Sequence, residues 1–250
     1  MDLETLEIIA HRGFSAIAPE NTPAAFAAAL EHRANSVEFD LQLTADGIPV
    51  VIHNPTLDKT TGTPGKVTEK TLVQLKSLDA GSWFNPQFAG QQIPTLSETL
   101  DILQPLSQHI YLDVKPHCQW SESQVDTLVE LLISTGWQEK AIVSSFNPQF
   151  VQQVRQRKRG LKLGYIVANP DDYQQELAAA ARHGDSVIIS EYHIVLENPT
   201  LVEQSRNKGV DIVVWTVDNP DEFQALVKIG IRRIITNSLV GNKAHLTEML

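Results

Sequence analysis

Glu38 and Asp40 stand two residues apart in an apolar run, and His53 follows them further along the chain. If that run is a β-strand, both carboxylates point to the same face of it. Asp46-Gly47 is a preferred dipeptide of two-residue hairpin turns, and folding the chain back there pairs Asp40 with His53. The spacing brings two carboxylates and an imidazole together, although taken alone it fits an edge hairpin with solvent-facing acids better.

Strand and helix patterns alternate along the rest of the chain, which predicts a parallel sheet covered by helices. One of the nine strand candidates, residues 49–53, follows a tight turn and must be antiparallel, so it cannot belong to a parallel barrel. The other eight lie near residues 8, 38, 112, 143, 164, 188, 214 and 235. We therefore predict a TIM-type (β/α)8 barrel with an antiparallel hairpin after strand 2 and a helix missing at that point.

The barrel is expected to form a single domain over residues 1–250. Residues 54–94 differ in composition from the rest of the chain. Glycine and proline are scattered among polar residues there, and only one short helical segment is predicted. So long an irregular stretch inside a compact domain is typical of a functional insertion. We expect a small insertion here.

Composition narrows the classes of partner. The 250 residues carry a formal net charge of −10, which argues against nucleic acid or an anionic membrane surface as the main partner. Cys118 is the single cysteine, so no intrachain disulfide can form. Neither a signal peptide nor an apolar run of about 20 residues is found, so we expect a cytoplasmic protein without stable membrane insertion. The expected partner is a small-molecule substrate, and a homodimer is the assembly considered.

Charged and aromatic side chains fall near the carboxyl ends of the predicted barrel strands, where barrel enzymes place their sites. They are His11 and Arg12 on strand 1, Glu38 and Asp40 on strand 2, Asp113 and Lys115 on strand 3, Phe146 on strand 4 and Trp215 on strand 7. Three carboxylates without a cysteine form an all-oxygen set, which suits Mg²⁺ or Ca²⁺. The alternative is an ion-pair cluster of Lys115 with Glu38 or Asp113, but one lysine cannot neutralise three acids.

The remaining residue types point to an anionic substrate. His11 and His53 can divide general base and general acid roles near neutral pH, or either can be a metal ligand. Arg12 and Lys115 supply the positive charge that a phosphate-like group needs. The aromatic residues at the strand ends either pack the barrel mouth or form an apolar wall for a substrate. The other histidines are assigned surface or packing roles: His32, His109, His117, His183, His193 and His245.

A set of short motifs in a fixed order resembles the glycerophosphodiester phosphodiesterase family over nearly the whole chain. The motifs are His11-Arg12-Gly13, Pro19-Glu20-Asn21-Thr22, Glu38-x-Asp40, Asp46-Gly47-x-Pro49-Val50-x-x-His53, Leu57-Asp58-x-Thr60-Thr61-Gly62, Pro94-Thr95-Leu96 and Trp215-Thr216-Val217. The resemblance implies a phospholipase-C-like barrel with an insertion after the second histidine. It also implies hydrolysis of deacylated phospholipids to sn-glycerol 3-phosphate and an alcohol.

Carried over to this chain, the resemblance makes His11 and His53 the acid–base pair. It implies one divalent cation held by Glu38, Asp40 and Asp113. It further implies a substrate site whose members are Arg12, Glu20, Lys115, Phe146 and Trp215. In the family's mechanism the glycerol 2-hydroxyl attacks phosphorus, the two histidines move the protons, and a cyclic phosphate is then hydrolysed.

The chain departs from the family pattern at three positions. Asp113 stands where glutamate is usual, and Asn54 and Asn237 each stand where aspartate is usual. None of these changes removes a histidine of the acid–base pair, so we expect an active enzyme. Two alternatives stay open: a lysophospholipase D on the same barrel, and a non-catalytic relative that binds phosphodiesters without turnover.

Overall fold

The computed structural model describes residues 6–157 and 160–241, the side chain of His183 excepted. Nine strands are found in this part of the chain. They are β1 (Glu7–His11), β2 (Ser36–Leu43), β3 (Pro49–Val51), β4 (Ile110–Val114), β5 (Ala141–Ser145), β6 (Lys162–Val167), β7 (Ser186–Glu191), β8 (Asp211–Trp215) and β9 (Arg233–Thr236). All except β3 pair in parallel with their neighbours, and β9 pairs back with β1 to close the barrel. This confirms the predicted TIM-type (β/α)8 barrel.

Most of the helices cover the outside of the barrel, and the second and third lie in the insertion after β3. Within the described ranges they are α1 (Pro23–Glu31), α2 (Asp58–Thr61), α3 (Leu72–Lys76), α4 (Leu96–Ile102), α5 (Glu122–Ser134), α6 (Pro148–Arg157), α7 (Tyr173–His183), α8 (Tyr192–Glu197), α9 (Thr200–Asn207) and α10 (Pro220–Lys228). Several of them begin at polar capping residues. Thr22 caps α1 and Asn219 caps α10, each with proline at the first helical position. None of the helices that the structure describes is long and apolar enough to cross a membrane.

The hairpin between β2 and β3 has a different register from the predicted one. Leu43 pairs with Pro49 in the antiparallel ladder, rather than with Val50. Gly47 adopts φ +76°, and the turn takes in one residue more than a two-residue loop would. The prediction that Asp40 pairs directly with His53 is therefore wrong, because the partner strand is shifted by one position.

The insertion builds a small apolar core of its own. Its buried members come from β3, the residue directly after β3 and the insertion: Val50, Ile52, Leu57, Val67, Leu75, Ala80 and Ile93. The helix predicted to be missing after strand 2 comes instead after this insertion, as α4. Leu96 and Leu100 of α4 are buried in the main core between strands and helices. The helix of the second βα unit is thus displaced along the chain, and the prediction that it is missing is wrong.

The barrel interior is filled by side chains, as in other eight-stranded barrels. Its apolar cluster takes alternate residues from the strands: Ile9, Tyr111, Ile142, Val187, Ile189, Val213 and Ile235. Gly164 lies in this crowded interior, where a Cβ atom would come within 2.4 Å of the Ile189 side chain. The packed interior leaves the polar residues at the carboxyl ends of the strands as the wall of an open pocket above it.

Candidate active site

Three carboxylates meet at the carboxyl ends of β2 and β4. Glu38 and Asp40 alternate with apolar residues on β2, and Asp113 of β4 is the register partner of Asp40. Side chains of register partners on neighbouring parallel strands point the same way. One oxygen from each of the three carboxylates lies within 4.8 Å of the others. The strand register thus assembles the predicted acidic cluster.

Two cations lie against Asp40. Lys115 Nζ is 2.5 Å from Asp40 Oδ1 and 2.6 Å from Asp113 Oδ2, and Arg12 Nε is 3.1 Å from Asp40 Oδ2. The lysine pairs with the two aspartates and not with Glu38, so the ion-pair alternative accounts for only part of the cluster. Burial raises the pKa of Asp40, but the charges of Lys115 and Arg12 outweigh burial and hold that pKa well below its usual range.

The pKa values of the other two acids, Glu38 and Asp113, are shifted in the opposite direction. Burial, reinforced by the charge of Asp40, raises the pKa of Glu38 well above its usual value. Burial also raises the pKa of Asp113 despite the nearby Lys115, and Asp113 Oδ1 is buried without a hydrogen-bond partner. A buried, all-oxygen set with spare acceptor capacity and an excess of negative charge fits a hard divalent cation.

Arg12 reaches the cluster through an unusual turn. Arg12 and Gly13 both have left-handed backbone, with φ +56° and φ +80°. Only glycine fits at position 13, because a Cβ atom there would lie 2.6 Å from the backbone of Ala25. The turn aims the Arg12 N–H at Glu38 Oε2, at 3.1 Å, and Glu20 Oε1 accepts from Arg12 Nη1 at 3.0 Å.

Both predicted histidines line the pocket, and each is anchored through Nδ1. His11 Nδ1 lies 2.6 Å from Asn237 Oδ1, and His53 Nδ1 lies 2.7 Å from Asn54 Oδ1. Burial and the charge of Arg12 lower the pKa of His11 to about 4, so its imidazole is neutral at physiological pH. Burial likewise lowers the pKa of His53. In both rings the anchored nitrogen faces away and leaves Nε2 for chemistry in the pocket.

The pocket has a volume of about 240 Å³ and one polar and one apolar side. It contains every predicted site residue except Glu20, which contacts it through Arg12. Its apolar side consists of Phe146, Ile166, Ile189, Trp215 and Ile235. Phe146 and Trp215 meet edge to face with ring centroids 6.4 Å apart, and Phe146 is 43% exposed at the mouth.

Asn21 is a site residue that the sequence did not single out, although it lies inside a quoted motif. Its Nδ2 donates to Asp40 Oδ2 at 2.7 Å, while its Oδ1 accepts from the backbone N–H of Asp40 at 3.3 Å. The side chain is buried, and its own φ is +59°. Asn21 therefore fixes the orientation of the Asp40 carboxylate from the side opposite Lys115.

Gln42 is the second missed residue, and it supports His53 from behind. Its Nε2 donates to the carbonyl oxygens of Ile52, His53 and Asn54 at 2.9, 2.9 and 2.8 Å. The side chain is completely buried. A polar residue on an apolar strand was the available signal, since such a group needs buried partners.

The histidines assigned to surface or packing roles lie away from the pocket where the structure describes them. His109 bonds Glu7, His117 bonds Gln42 and His193 bonds Glu191. His32 packs edge to face on Phe14. The side chain of His183 and all of His245 fall outside the described residues.

An eight-stranded parallel barrel with acids, histidines and cations at the carboxyl ends of its strands defines a TIM-barrel enzyme with a site for an anionic substrate. A sequence model of the glycerophosphoryl diester phosphodiesterase family matches residues 11–240. A glycerophosphodiester phosphodiesterase of Caldanaerobacter subterraneus is 34% identical over 92% of this chain and 93% of its own. A putative glycerophosphodiester phosphodiesterase of Bacillus subtilis is 33% identical over the same shares. The chain therefore belongs to the glycerophosphodiester phosphodiesterase family.

Solved structures agree with this assignment. An Oleispira antarctica phosphodiesterase in complex with the product sn-glycerol-3-phosphate has a TM-score of 0.86 at 27% identity and covers 98% of both chains. A glycerophosphodiester phosphodiesterase from Agrobacterium tumefaciens has a TM-score of 0.82 at 27% identity and covers 94% of this chain and 99% of its own. The predicted family and the predicted enzyme class are thus confirmed.

Proposed function

We propose that this protein hydrolyses glycerophosphodiesters, the deacylated phospholipids, to sn-glycerol 3-phosphate and an alcohol. The observation that carries the proposal is one pocket in which two anchored histidines face a carboxylate cluster and two cations. The names of the relatives support it, as does the sn-glycerol-3-phosphate bound by the Oleispira antarctica phosphodiesterase.

Glu38, Asp40 and Asp113 would hold one divalent cation, Mg²⁺ or Ca²⁺. Their oxygen-only donor set and the unpartnered Asp113 Oδ1 suit such an ion. The ion would offset charge on the phosphoryl oxygens. Asp113 has one methylene less than glutamate, but its register with Asp40 already places it in the cluster.

Arg12 and Lys115 bind the phosphate oxygens in this proposal. Both cations already have carboxylate partners, so their positions are fixed before substrate arrives. Glu20 serves the site by accepting from Arg12 and from Lys59, each at 3.0 Å. Phe146 and Trp215 line the opposite side and contact the carbon skeleton of the substrate.

His11 and His53 move the protons. The glycerol 2-hydroxyl attacks phosphorus, one histidine accepts the hydroxyl proton, and the bond from phosphorus to the alcohol oxygen breaks. The departing alcohol takes a proton from the other histidine. Water then opens the resulting cyclic phosphate with the two histidines in exchanged roles, which returns both to their starting protonation states.

The test is release of sn-glycerol 3-phosphate from glycerophosphocholine and glycerophosphoethanolamine. We expect turnover with Mg²⁺ or Ca²⁺, loss of turnover with a chelator, and a loss of about 100-fold or more in His11→Ala. Absence of product with either metal, together with no effect of His11→Ala, contradicts the proposal. Turnover of acylated substrates alone favours a lysophospholipase D, and calorimetric binding without turnover favours a non-catalytic relative.

A further inference from the structure

Asp218 lies in the segment between β8 and α10, outside every predicted set of site residues. Its Oδ1 accepts hydrogen bonds from the backbone N–H groups of Asn237 and Ser238 at 2.8 and 3.0 Å. The hydroxyls of Thr236 and Ser238 donate to the same oxygen at 2.9 and 3.0 Å. One carboxylate thus holds the chain at the carboxyl end of β9.

The other oxygen of Asp218 fixes the Asn237 side chain. Asn237 Nδ2 donates to Asp218 Oδ2 at 2.6 Å. An ionised carboxylate only accepts hydrogen bonds, so the amide must present its NH₂ group to Asp218. Burial raises the pKa of Asp218, but the hydrogen bonds from Asn237, Thr236 and Ser238 together outweigh burial and hold the pKa below its usual value, so the group is ionised at neutral pH.

The opposite end of the Asn237 amide faces His11. Asn237 Oδ1 lies 2.6 Å from His11 Nδ1 and also accepts from Ser15 Oγ at 2.9 Å. Because an amide oxygen cannot donate, the imidazole must carry its proton on Nδ1. Nε2 is then the acceptor that His11 turns into the pocket, 3.8 Å from Glu38 Oε2.

We infer that Asp218 is a positioning residue for the reaction: through the Asn237 amide it sets the tautomer of His11 and keeps Nε2 free to accept a proton. The inference deepens the proposed function, on which it rests, because it assigns the proton-accepting role to His11. Asp218 itself touches neither the pocket nor the metal cluster.

The same geometry predicts what Asp218→Asn does. An asparagine at position 218 keeps its oxygen on the four donors from residues 236–238 and turns its own NH₂ toward Asn237. Two NH₂ groups cannot face each other at 2.6 Å, so the Asn237 amide flips and offers its NH₂ to His11. His11 then accepts at Nδ1 and carries its proton on Nε2, where it can no longer take a proton from substrate.

The reciprocal change restores the order of donors and acceptors. In Asp218→Asn/Asn237→Asp, the NH₂ of residue 218 donates to the carboxylate at 237, whose other oxygen accepts from His11 Nδ1. Asn237→Asp alone places two carboxylates at the 2.6 Å contact and is expected to be the worst of the three. A residue with only a structural role would not show this pattern of loss and rescue.

The experiment combines imidazole ¹⁵N NMR of histidine-labelled protein at pH 7.5 with steady-state kinetics on glycerophosphocholine. We expect the Nδ1–H tautomer of His11 in wild type, the Nε2–H tautomer in Asp218→Asn with kcat lowered about 100-fold and KM within about twofold, and recovery of both in the double variant. Asp221→Asn on α10 removes an exposed carboxylate nearby and should match wild type.

Any of three results overturns the inference: an unchanged His11 tautomer in Asp218→Asn, an unchanged kcat in Asp218→Asn, or a folded double variant without the Nδ1–H tautomer. If Asp218→Asn does not fold, the double variant decides alone, since it must fold, show the Nδ1–H tautomer and retain activity. The tautomer is read without substrate. A wild type that shows the expected tautomers but turns over no glycerophosphodiester overturns the proposed function, while the tautomer control by Asp218 stands.

Discussion

Asp40 and Asp113 are register partners on β2 and β4, and one ammonium group, Lys115 Nζ, lies within 2.6 Å of both carboxylates. The position of Lys115, the proposed phosphate-binding cation, is therefore fixed by two of the three acids that are proposed to hold the metal. Glu38, which has no such ammonium partner, is left as the acid most dependent on an added ion. Substitution of Glu38 should therefore have different effects from substitution of Asp40 or Asp113.

Glu38→Gln should separate metal binding from stability. Because burial raises the pKa of Glu38, its ionised form is disfavoured in the folded, metal-free protein, and a neutral amide of the same shape should raise the metal-free Tm. The same change should abolish the rise in Tm that Mg²⁺ or Ca²⁺ produces in wild type, and lower turnover by about 100-fold. Thermal unfolding with and without metal measures both, with exposed Glu31→Gln as control. An undiminished metal-induced rise in Glu38→Gln contradicts the ligand assignment.

The alcohol leaving group should distinguish the two histidines. p-Nitrophenol leaves without protonation, so a substrate that replaces choline by p-nitrophenol needs no general acid. We expect His53→Ala to recover activity on this substrate by about 100-fold relative to glycerophosphocholine, and His11→Ala to stay inactive on both. Equal recovery in both variants, or recovery only in His11→Ala, would show that the roles are not divided in this way.

Gln42→Glu should damage the segment that carries His53. The change replaces the donor to three carbonyl oxygens by a buried carboxylate that repels them. We expect a loss of about 3–5 kcal/mol in the free energy of unfolding, against about 1–3 kcal/mol for Gln42→Leu, which leaves the oxygens unpaired without adding charge. Urea unfolding measures both. If Gln42→Glu is no less stable than Gln42→Leu, the carbonyl contacts do not stabilise the segment.

Glu7 should control acid stability from the opposite end of the barrel. Burial raises its pKa, but hydrogen bonds from His109 and Ser36 and the charge of Arg233 outweigh burial and lower the pKa below 4.5. The stabilisation is therefore complete above the unfolded pKa and is lost as pH falls through the lower folded pKa. We expect the free energy of unfolding to fall less between about pH 5 and about pH 3 in Glu7→Gln than in wild type. Parallel pH profiles for the two proteins would contradict this.

The sequence predicts the barrel and most of the pocket because both depend on local pattern. Strand periodicity places Glu38 and Asp40 on one face, and the rule that barrel sites lie at the carboxyl ends of strands gathers Asp113 and Lys115 with them. The motif order adds Glu20, whose contact with Arg12 spans a loop.

What the sequence does not predict depends on geometry between distant segments. The register of the hairpin depends on whether Gly47 belongs to a two-residue loop or to a longer one. The Asp-Gly dipeptide alone does not determine this. Asn21 and Asp218 are polar loop residues of a common type, and their roles arise only when β2 and β9 are brought beside them. The role of Gln42 could not be predicted without the position of residues 52–54, whose carbonyl oxygens accept from its side chain.

His53 leaves β3 at the boundary between the main core and the small core of the insertion, whereas His11 ends a strand of the barrel itself. The two proposed proton carriers thus belong to separately packed apolar cores that both border the pocket. A change that disturbs the small core should therefore shift His53, while the barrel strand that carries His11 keeps its place.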